Sequence, residues 1–362
     1  MKIVTIVGAR PQFIKCAFVS QELRKVATEV LVHTGQHYDD AMSTIFFQEL
    51  GIAKPDYNLD VGSGSHGAQT GIMLEKIEEV LLKETPDAVL VYGDTNTTLA
   101  GALAAVKLHI PLVHAEAGVR SFNRKMPEEI NRVLTDQVSN LLFCPTQTAI
   151  DNLNREGVVE GIHLVGCMML GSANYYGQIA EEKSTILDSL KLSPKNYALA
   201  TIHRSENTDE PSRFKSILLA LDQIATKEFP VVLPLHPRSQ KCLKALALNF
   251  KHLQIIEPVS YLDMLKLEQN SKLILTDSGG VQKEAFCFQV PCVTVRDETE
   301  WMETVESGWN VISGTCGEDI VRNAQEMIQK AEGLKTTQGI EQIDVAKTIA
   351  NILAQHSVQV LS

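Results

Sequence analysis

No C-x-x-C pair occurs in this chain. Its 7 cysteines, at positions 16, 144, 167, 242, 287, 292 and 316, are scattered and odd in number. That excludes a disulfide framework and a zinc ribbon, and fits buried thiols in a reducing compartment. No apolar run approaches the roughly 18 residues of a membrane-crossing helix. The opening run Lys2-Ile-Val-Thr-Ile-Val7 is broken at once by Gly8-Ala9-Arg10-Pro11, too soon for the core of a signal peptide. With 13 Pro, 44% hydrophobic and 21% charged residues, disordered and low-complexity classes are also excluded. A basic domain is missing too: 33 Lys+Arg against 44 Asp+Glu give −11, with both halves acidic, which argues against nucleic acid or an anionic membrane as partner. The expectation is a soluble, cytoplasmic protein.

The 362 residues suffice for two domains at about 150 residues each. Short β-branched runs recur, each followed by a turn and a helical stretch: Ile3–Val7, Val30–Thr34, Ala88–Tyr92, Pro111–Ala115, Leu141–Cys144 and Ile162–Val165. Near-continuous apolar runs of this kind predict parallel strands covered on both faces. The alternation lapses over 167–195 and restarts at Tyr197–Ile202, continuing through Val231–Leu235, Leu253–Ile256, Leu273–Leu275 and Cys292–Val295. This predicts an α/β protein of two Rossmann-like, doubly wound domains, 1–170 and 171–342, with a final helix at about 343–362 packing back on the first. Ligands of such sheets sit beyond the carboxyl ends of the strands, so the site is expected in the interdomain cleft.

Polar clusters follow those strands. After the first comes Gly8-Ala-Arg-Pro-Gln-Phe-Ile-Lys15, with neither the G-x-G-x-x-G dinucleotide fingerprint nor a P-loop. Pro11 suits a first helical turn, and Arg10 and Lys15 stand at helix-start positions where they and free amides can capture an anion. Tyr92-Gly-Asp94-Thr-Asn-Thr-Thr98 and His114-Ala-Glu116-Ala-Gly-Val-Arg120 each bring one carboxylate to the mouth of the sheet. Asp94 is explained equally well as an N-cap of the helix starting near Thr95. Glu116, in an apolar segment beside His114, points to acid–base work. Pro127-Glu128-Glu129-Ile-Asn131-Arg132 opens a helix, with Arg132 placed at i+4 to pair with Glu128. In the second half, His203-Arg204 and His236-Pro-Arg238 leave two strands. Asp277-Ser278-Gly279-Gly280 offers a side-chain-free helix start to a phosphate, and Glu284, about one turn on, can accept from ribose hydroxyls. Cations and amides for a diphosphate, with acids and bases for a hexose, describe a nucleotide-sugar site. No metal-ligand spacing such as H-E-x-x-H appears.

These six motifs, Gly8–Lys15, Gly93–Thr98, His114–Arg120, Pro127–Arg132, His203–Asn207 and Asp277–Gly280, resemble in order the non-hydrolysing UDP-N-acetylglucosamine 2-epimerases. The resemblance implies a GT-B fold, usually a homodimer, and inversion at C2 of the sugar to give UDP-N-acetylmannosamine with no cofactor and no essential metal, in the making of cell-surface polysaccharide. It assigns Arg10, Lys15, Ser278, Gly279 and Gly280 to the diphosphate, Glu284 to the ribose, and the segment holding Tyr261 to the uracil. Arg204 and His236 join the substrate-binding set. Asp94, Glu116 and Glu128 become the acid–base carboxylates, Arg132 their partner, and His203 a cation near the leaving phosphate. Domain closure over the intermediate is expected with it.

Two departures from the family pattern stand out. Arg296-Asp-Glu-Thr-Glu300-Trp301 carries Trp301 where family members have a nucleotide-contacting Arg, and a Thr-Glu-Trp run resembles the branch acting on UDP-2,3-diacetamido-2,3-dideoxyglucuronate. Gln36-His37-Tyr38-Asp39 keeps one of two Gln of an allosteric UDP-GlcNAc segment. A GT-B glycosyltransferase and a hydrolysing 2-epimerase are the alternatives of other classes.

Overall fold

The computed structural model of the chain describes residues 1–36, 49–235, 237–246, 248–334 and 344–356. His236 and the segment His37–Asp39 lie outside the described residues, as does the side chain of Arg238. The chain forms two compact units. One is Met1–Ser172 with Gln342–Ser362; the other is Ala173–Glu341.

The first unit is built on seven parallel strands: β1 (Lys2–Val7), β2 (Thr28–His33), β3 (Tyr57–Asn58), β4 (Ala88–Tyr92), β5 (Leu112–Ala115), β6 (Leu141–Cys144) and β7 (Ile162–Leu164). Their order is β3-β2-β1-β4-β5-β6-β7. The strands read as unbroken apolar runs because both faces are covered. On one face Val4, Ile6, Val32, Val89 and Val91 pack with Met73, Ile77 and Leu81 of the helix His66–Glu84 and with Ala100, Ala104 and Ala105 of the helix Asn96–Lys107. Gly101 lets the latter approach closely, since a Cβ there would meet Ile6 and Val91 at 3.0 Å. The helix Arg10–Val26 packs against β1, β2 and β4, and the C-terminal helix Val345–His356 lies on it.

The second unit repeats the plan with six parallel strands, β8 (Ala198–Thr201), β9 (Val231–Pro234), β10 (Leu253–Ile256), β11 (Leu273–Thr276), β12 (Cys292–Thr294) and β13 (Asn310–Ile312), in the order β10-β9-β8-β11-β12-β13. Phe214, Ile217, Leu218 and Leu221 of the helix Pro211–Ile224, with Ile320, Ala324 and Met327 of the helix Gly317–Lys330, cover one face. Leu187, Leu267, Val281 and Ala285 cover the other. Two edge strands, β3 and β13, were not expected from the sequence. They hold two and three residues, too few to print a run.

Among the described residues no helix is long and apolar enough to cross a membrane, and all seven cysteines are free thiols. In each sheet the strand order reverses between two neighbours, β1 and β4 in the first and β8 and β11 in the second. Chains leaving those pairs diverge to opposite faces and open a crevice at the carboxyl ends. The polar clusters sit at these two places.

Candidate active site

At the first crevice β1 runs into Gly8, where a Cβ would collide with the hydroxyls of Thr34 and Thr97. Arg10, exposed, opens the helix, and Pro11 occupies its first turn. Gln12 is buried and closes the corner. Its carbonyl oxygen accepts from the amides of Gly8 and Ala9 at 2.9 and 3.0 Å, while its nitrogen donates to the Tyr92 carbonyl at 2.8 Å and to Thr98 at 3.0 Å. One side chain therefore fastens the exit of β1 to that of β4.

From β4 the chain turns through Gly93 (φ +63°) to Asp94. The N-cap of the next helix is Thr95, whose hydroxyl accepts from the Thr98 amide. This corrects the capping explanation of Asp94: the neighbour does that work, and the Asp94 carboxylate is left to other partners. Arg132 reaches it at 2.6 Å. The same guanidinium contacts Glu129 at 2.9 Å, which corrects the expected pairing with Glu128. In the helix Pro127–Val138 it is Glu129 that turns inward, accepting from the amides of Ser121 and Phe122 at 2.9 Å each. Burial works against its charge, but those amides and Arg132 hold its carboxyl below the usual range. Glu128 is exposed on the first turn. Asn131 donates to the Asp94 carbonyl at 2.8 Å.

Glu116 follows β5 and adopts φ +78°. A left-handed backbone costs a non-glycine residue about 1–2 kcal/mol, and such strain persists where the surroundings over-determine it. Here they do. Its amide donates to the Phe143 carbonyl at 3.0 Å, and its carboxylate forms an ion pair with Lys15. Lys15 is thus in the second turn of its helix, among the acids. Burial alone would lower its pKa, yet the negative charges facing it, Glu116 first and then Asp94, leave it raised. A Cβ on Gly93 would lie 3.3 Å from the Glu116 carboxylate and 3.7 Å from the Lys15 ammonium, so a side chain there would crowd this pair.

Asp94 shows what these groups do jointly. Its pKa is raised, first by burial and then by the negative charges of Glu116 and Glu128, against the opposing pull of Arg132 and Lys15. Two other carboxylates and two cations thus act on Asp94, and a buried carboxyl held above its ordinary range in such a setting is a candidate proton carrier.

In the second unit Asp277, fully buried after β11, organises the exit of β8. Its oxygens accept from the amide of His203 at 3.1 Å, the amide of Arg204 at 3.0 Å and the side chain of Asn207 at 3.0 Å, and the His203 ring stands 3.0 Å away. Burial would raise this carboxyl, but His203 and the amides hold it low. The His203 side chain remains 58% exposed. Ser278 caps the helix Gly279–Cys287, accepting from Val281. That helix opens on two glycines, and a Cβ on Gly279 would collide with the Glu300 carboxylate and lie 3.1 Å from the Trp301 indole nitrogen. Tyr261 is 4% exposed, and its hydroxyl donates to Glu284 at 3.1 Å; it stands behind Glu284 as a brace. Lys283 stacks over the Trp301 ring at 4.6 Å.

Gln12, Glu129 and Asp277 support these groups and carry no signal at short range, because each acts on chain 70 or more positions away or across a turn. Only the exit of Asp277 from a predicted strand could have marked it.

Two doubly wound parallel sheets, each with its polar cluster at the switch point, define an α/β enzyme of the GT-B type. A family model described as UDP-N-acetylglucosamine 2-epimerase matches residues 21–354. A Methanococcus maripaludis protein described as a UDP-N-acetylglucosamine 2-epimerase homolog is 52% identical over 360 residues, 97% of this chain and 100% of its own. The UDP-2,3-diacetamido-2,3-dideoxy-D-glucuronate 2-epimerase of Pseudomonas aeruginosa is 55% identical over 335 residues, 91% of this chain and 93% of that one. The crystal structure of the Methanocaldococcus jannaschii UDP-GlcNAc 2-epimerase in complex with UDP-GlcNAc and UDP superimposes with a TM-score of 0.88 at 44% identity, covering 98% of this chain and 100% of that one. The chain belongs to the UDP-N-acetylglucosamine 2-epimerase family, and it is an isomerase.

Proposed function

We propose that the protein interconverts UDP-N-acetylglucosamine and UDP-N-acetylmannosamine by elimination of UDP to a 2-acetamidoglycal and its re-addition. The observation that carries this reading is the cluster at the carboxyl end of the first sheet, where Lys15 pairs with Glu116, Arg132 with Asp94, and the charges of Glu116 and Glu128 bear on Asp94. The C2 proton of the sugar is not α to a carbonyl, so its removal requires the C1–O bond to UDP to break. One carboxylate takes the proton as the electron pair forms the C1–C2 double bond and the diphosphate leaves with its bonding pair. Reprotonation from the opposite face, with return of the diphosphate to C1, gives the epimer. Two faces call for at least two proton carriers, which three neighbouring carboxylates supply.

On this reading Arg10 of the first unit, and His203, Arg204, Ser278 and the Gly279 and Gly280 amides of the second, are the groups assigned to stabilise the charge of the leaving diphosphate. Glu284, braced by Tyr261, takes the ribose hydroxyls, and His236 completes the binding set. The test is turnover in D₂O followed by NMR. Deuterium at C2 of the product and recovery of both epimers are expected; a product with protium at C2 overturns the mechanism. Product analysis also separates a glycosyltransferase or a hydrolysing epimerase, which release free UDP.

A second reading has its own support. The 55% identity to the diacetamido-uronate epimerase, together with a neutral Trp301 beside the Gly279 helix start, favours UDP-2,3-diacetamido-2,3-dideoxyglucuronate as substrate. Comparing kcat/KM for the two UDP-sugars decides between them. We further propose a cytoplasmic homodimer serving cell-surface polysaccharide synthesis. Phe122, Ile130 and Leu134, large apolar side chains 40% or more exposed, support self-association, which sedimentation checks.

A further inference from the structure

We infer that Asp136 and Asn152 are positioning residues for Glu116, gripping Gly118 by its amide and its carbonyl and so holding the strained turn from which the carboxylate projects. Two residues of that turn are left-handed, Glu116 at φ +78° and Gly118 at φ +76°. Glycine adopts such a backbone freely and glutamate does not. An unrestrained turn would therefore relax at Glu116 and carry its side chain away from Lys15.

The turn is fastened in two halves. The amides of Glu116 and Ala117 both donate to the Phe143 carbonyl on β6, at 3.0 Å each, which ties the first half to the sheet. The second half is held by side chains. Oδ2 of Asp136 accepts from the Gly118 amide at 3.1 Å, and Nδ2 of Asn152 donates to the Gly118 carbonyl at 3.0 Å. Both side chains are buried, the first on the helix Pro127–Val138 and the second on the helix Gln147–Arg155.

Asp136 is itself fixed. The same Oδ2 takes the Arg120 guanidinium at 2.7 Å. Arg120 is bound in turn by Glu156 at 2.8 and 2.7 Å and donates to the Val119 carbonyl at 2.8 Å. One carboxyl oxygen thus closes a clasp on residues 118 and 120, and the imidazole of His114 fills the space against the other oxygen, at 2.6 Å.

The positioning role follows from the helix that carries this clasp. Asp136 lies four residues beyond Arg132, one turn or about 6 Å along the axis, on the same face. Arg132 holds the Asp94 carboxylate while Asp136 holds the turn after Glu116, so one rigid helix registers the two acids against each other. An acid misplaced by about 1 Å can lose about a hundredfold in rate. The inference rests on the acid–base role proposed for Glu116; the grip on Gly118 does not.

The test compares Asp136→Asn and Asn152→Ala with the parent, with kcat expressed per folded molecule from urea denaturation. Each variant is expected to lower kcat about tenfold to a hundredfold, and to slow C2 deuteration by the same factor, with KM changed less than about twofold. A side chain that only stabilises the fold lowers the melting point and leaves the kcat of the folded molecules at the parent value; that result overturns the inference. Should Asp136→Asn fail to fold with Arg120 left uncompensated, Asn152→Ala, a neutral change, decides alone. Amide hydrogen exchange reads the grip without turnover. The Glu116 and Gly118 amides are expected to exchange slowly in the parent and about tenfold faster or more in the folded variant, and unchanged exchange there overturns the grip. Protected amides in a parent protein that incorporates no deuterium at C2 count against the proposed function and leave the grip standing.

Discussion

The ammonium of Lys15 lies against the carboxylate of Glu116, 101 positions further along the chain, and both side chains are almost withdrawn from water, at 7% and 13% exposure. Neither charge is tolerable there without the other. Lys15→Met strands the carboxylate, and loss of one partner of a buried pair costs about 3 kcal/mol or more. Urea denaturation is expected to show that loss, alongside a fall in C2 exchange; unchanged stability refutes the pairing.

Glu116 also sits in a left-handed backbone. Glu116→Gly and Glu116→Ala both remove the carboxylate and should both abolish C2 deuteration. The glycine variant is expected to be more stable than the alanine variant by about 1 kcal/mol, because only alanine bears the steric penalty. Equal midpoints in thermal melts argue against strain at this position.

Arg132 pulls the Asp94 carboxyl down while burial, Glu116 and Glu128 push it up, and the upward causes prevail. Arg132→Met removes the main opposing charge, so the Asp94 pKa rises further. The limb of the kcat profile that reports Asp94 should then move to higher pH, with lower kcat throughout. A shift to lower pH contradicts the assignment.

Asp277 has a folded pKa below the ordinary 3.8 of an aspartate. Its contribution to stability is therefore complete above that ordinary value and is lost as pH falls through the depressed one. Asp277→Asn should cost about 2 kcal/mol near neutrality, the worth of hydrogen bonds to a charged group, and the gap from the parent should close on acidification. Chemical denaturation at several pH values checks both.

Two glycines separate stability from binding. At Gly118 (φ +76°) a Cβ would overlap the Ala149 carbonyl, and Gly118→Ala should cost about 3 kcal/mol, strain and overpacking together. At Gly279 the obstacle is the Glu300 carboxylate, the end of a flexible side chain, with Trp301 beside it. Gly279→Ala should fold normally and raise KM for the UDP-sugar through the displaced helix start. Thermal melts and initial rates distinguish the two cases.

Much of the fold was legible because parallel strands buried on both faces advertise themselves as unbroken apolar runs, and the helices between them as 3.6-residue periods. What escaped were β3 and β13, whose few residues leave no run to read. Asp94 and Glu116 draw the eye in the sequence because acids at strand exits stand out against apolar surroundings, and Glu128 because it opens a helix after a Pro. Their wiring was not. Lys15 reads locally as a cation near a helix start, and only the pairing of strands far apart in sequence shows that Glu116 is its partner. The choice of Glu129 over Glu128 by Arg132 likewise depends on the turn at Ser121–Phe122, whose amides draw one of two adjacent acids inward.

Since the hydroxyl of Thr95 secures the start of the Asn96–Lys107 helix, the side chain one place earlier is spared the capping task and keeps its bond to Arg132. Evolution, or an engineer, can therefore retune acidity there without touching the helix start, and a chemically silent Asp94→Asn protein, which keeps an oxygen for Arg132, should still fold and still hold its sugar nucleotide long enough to be seen.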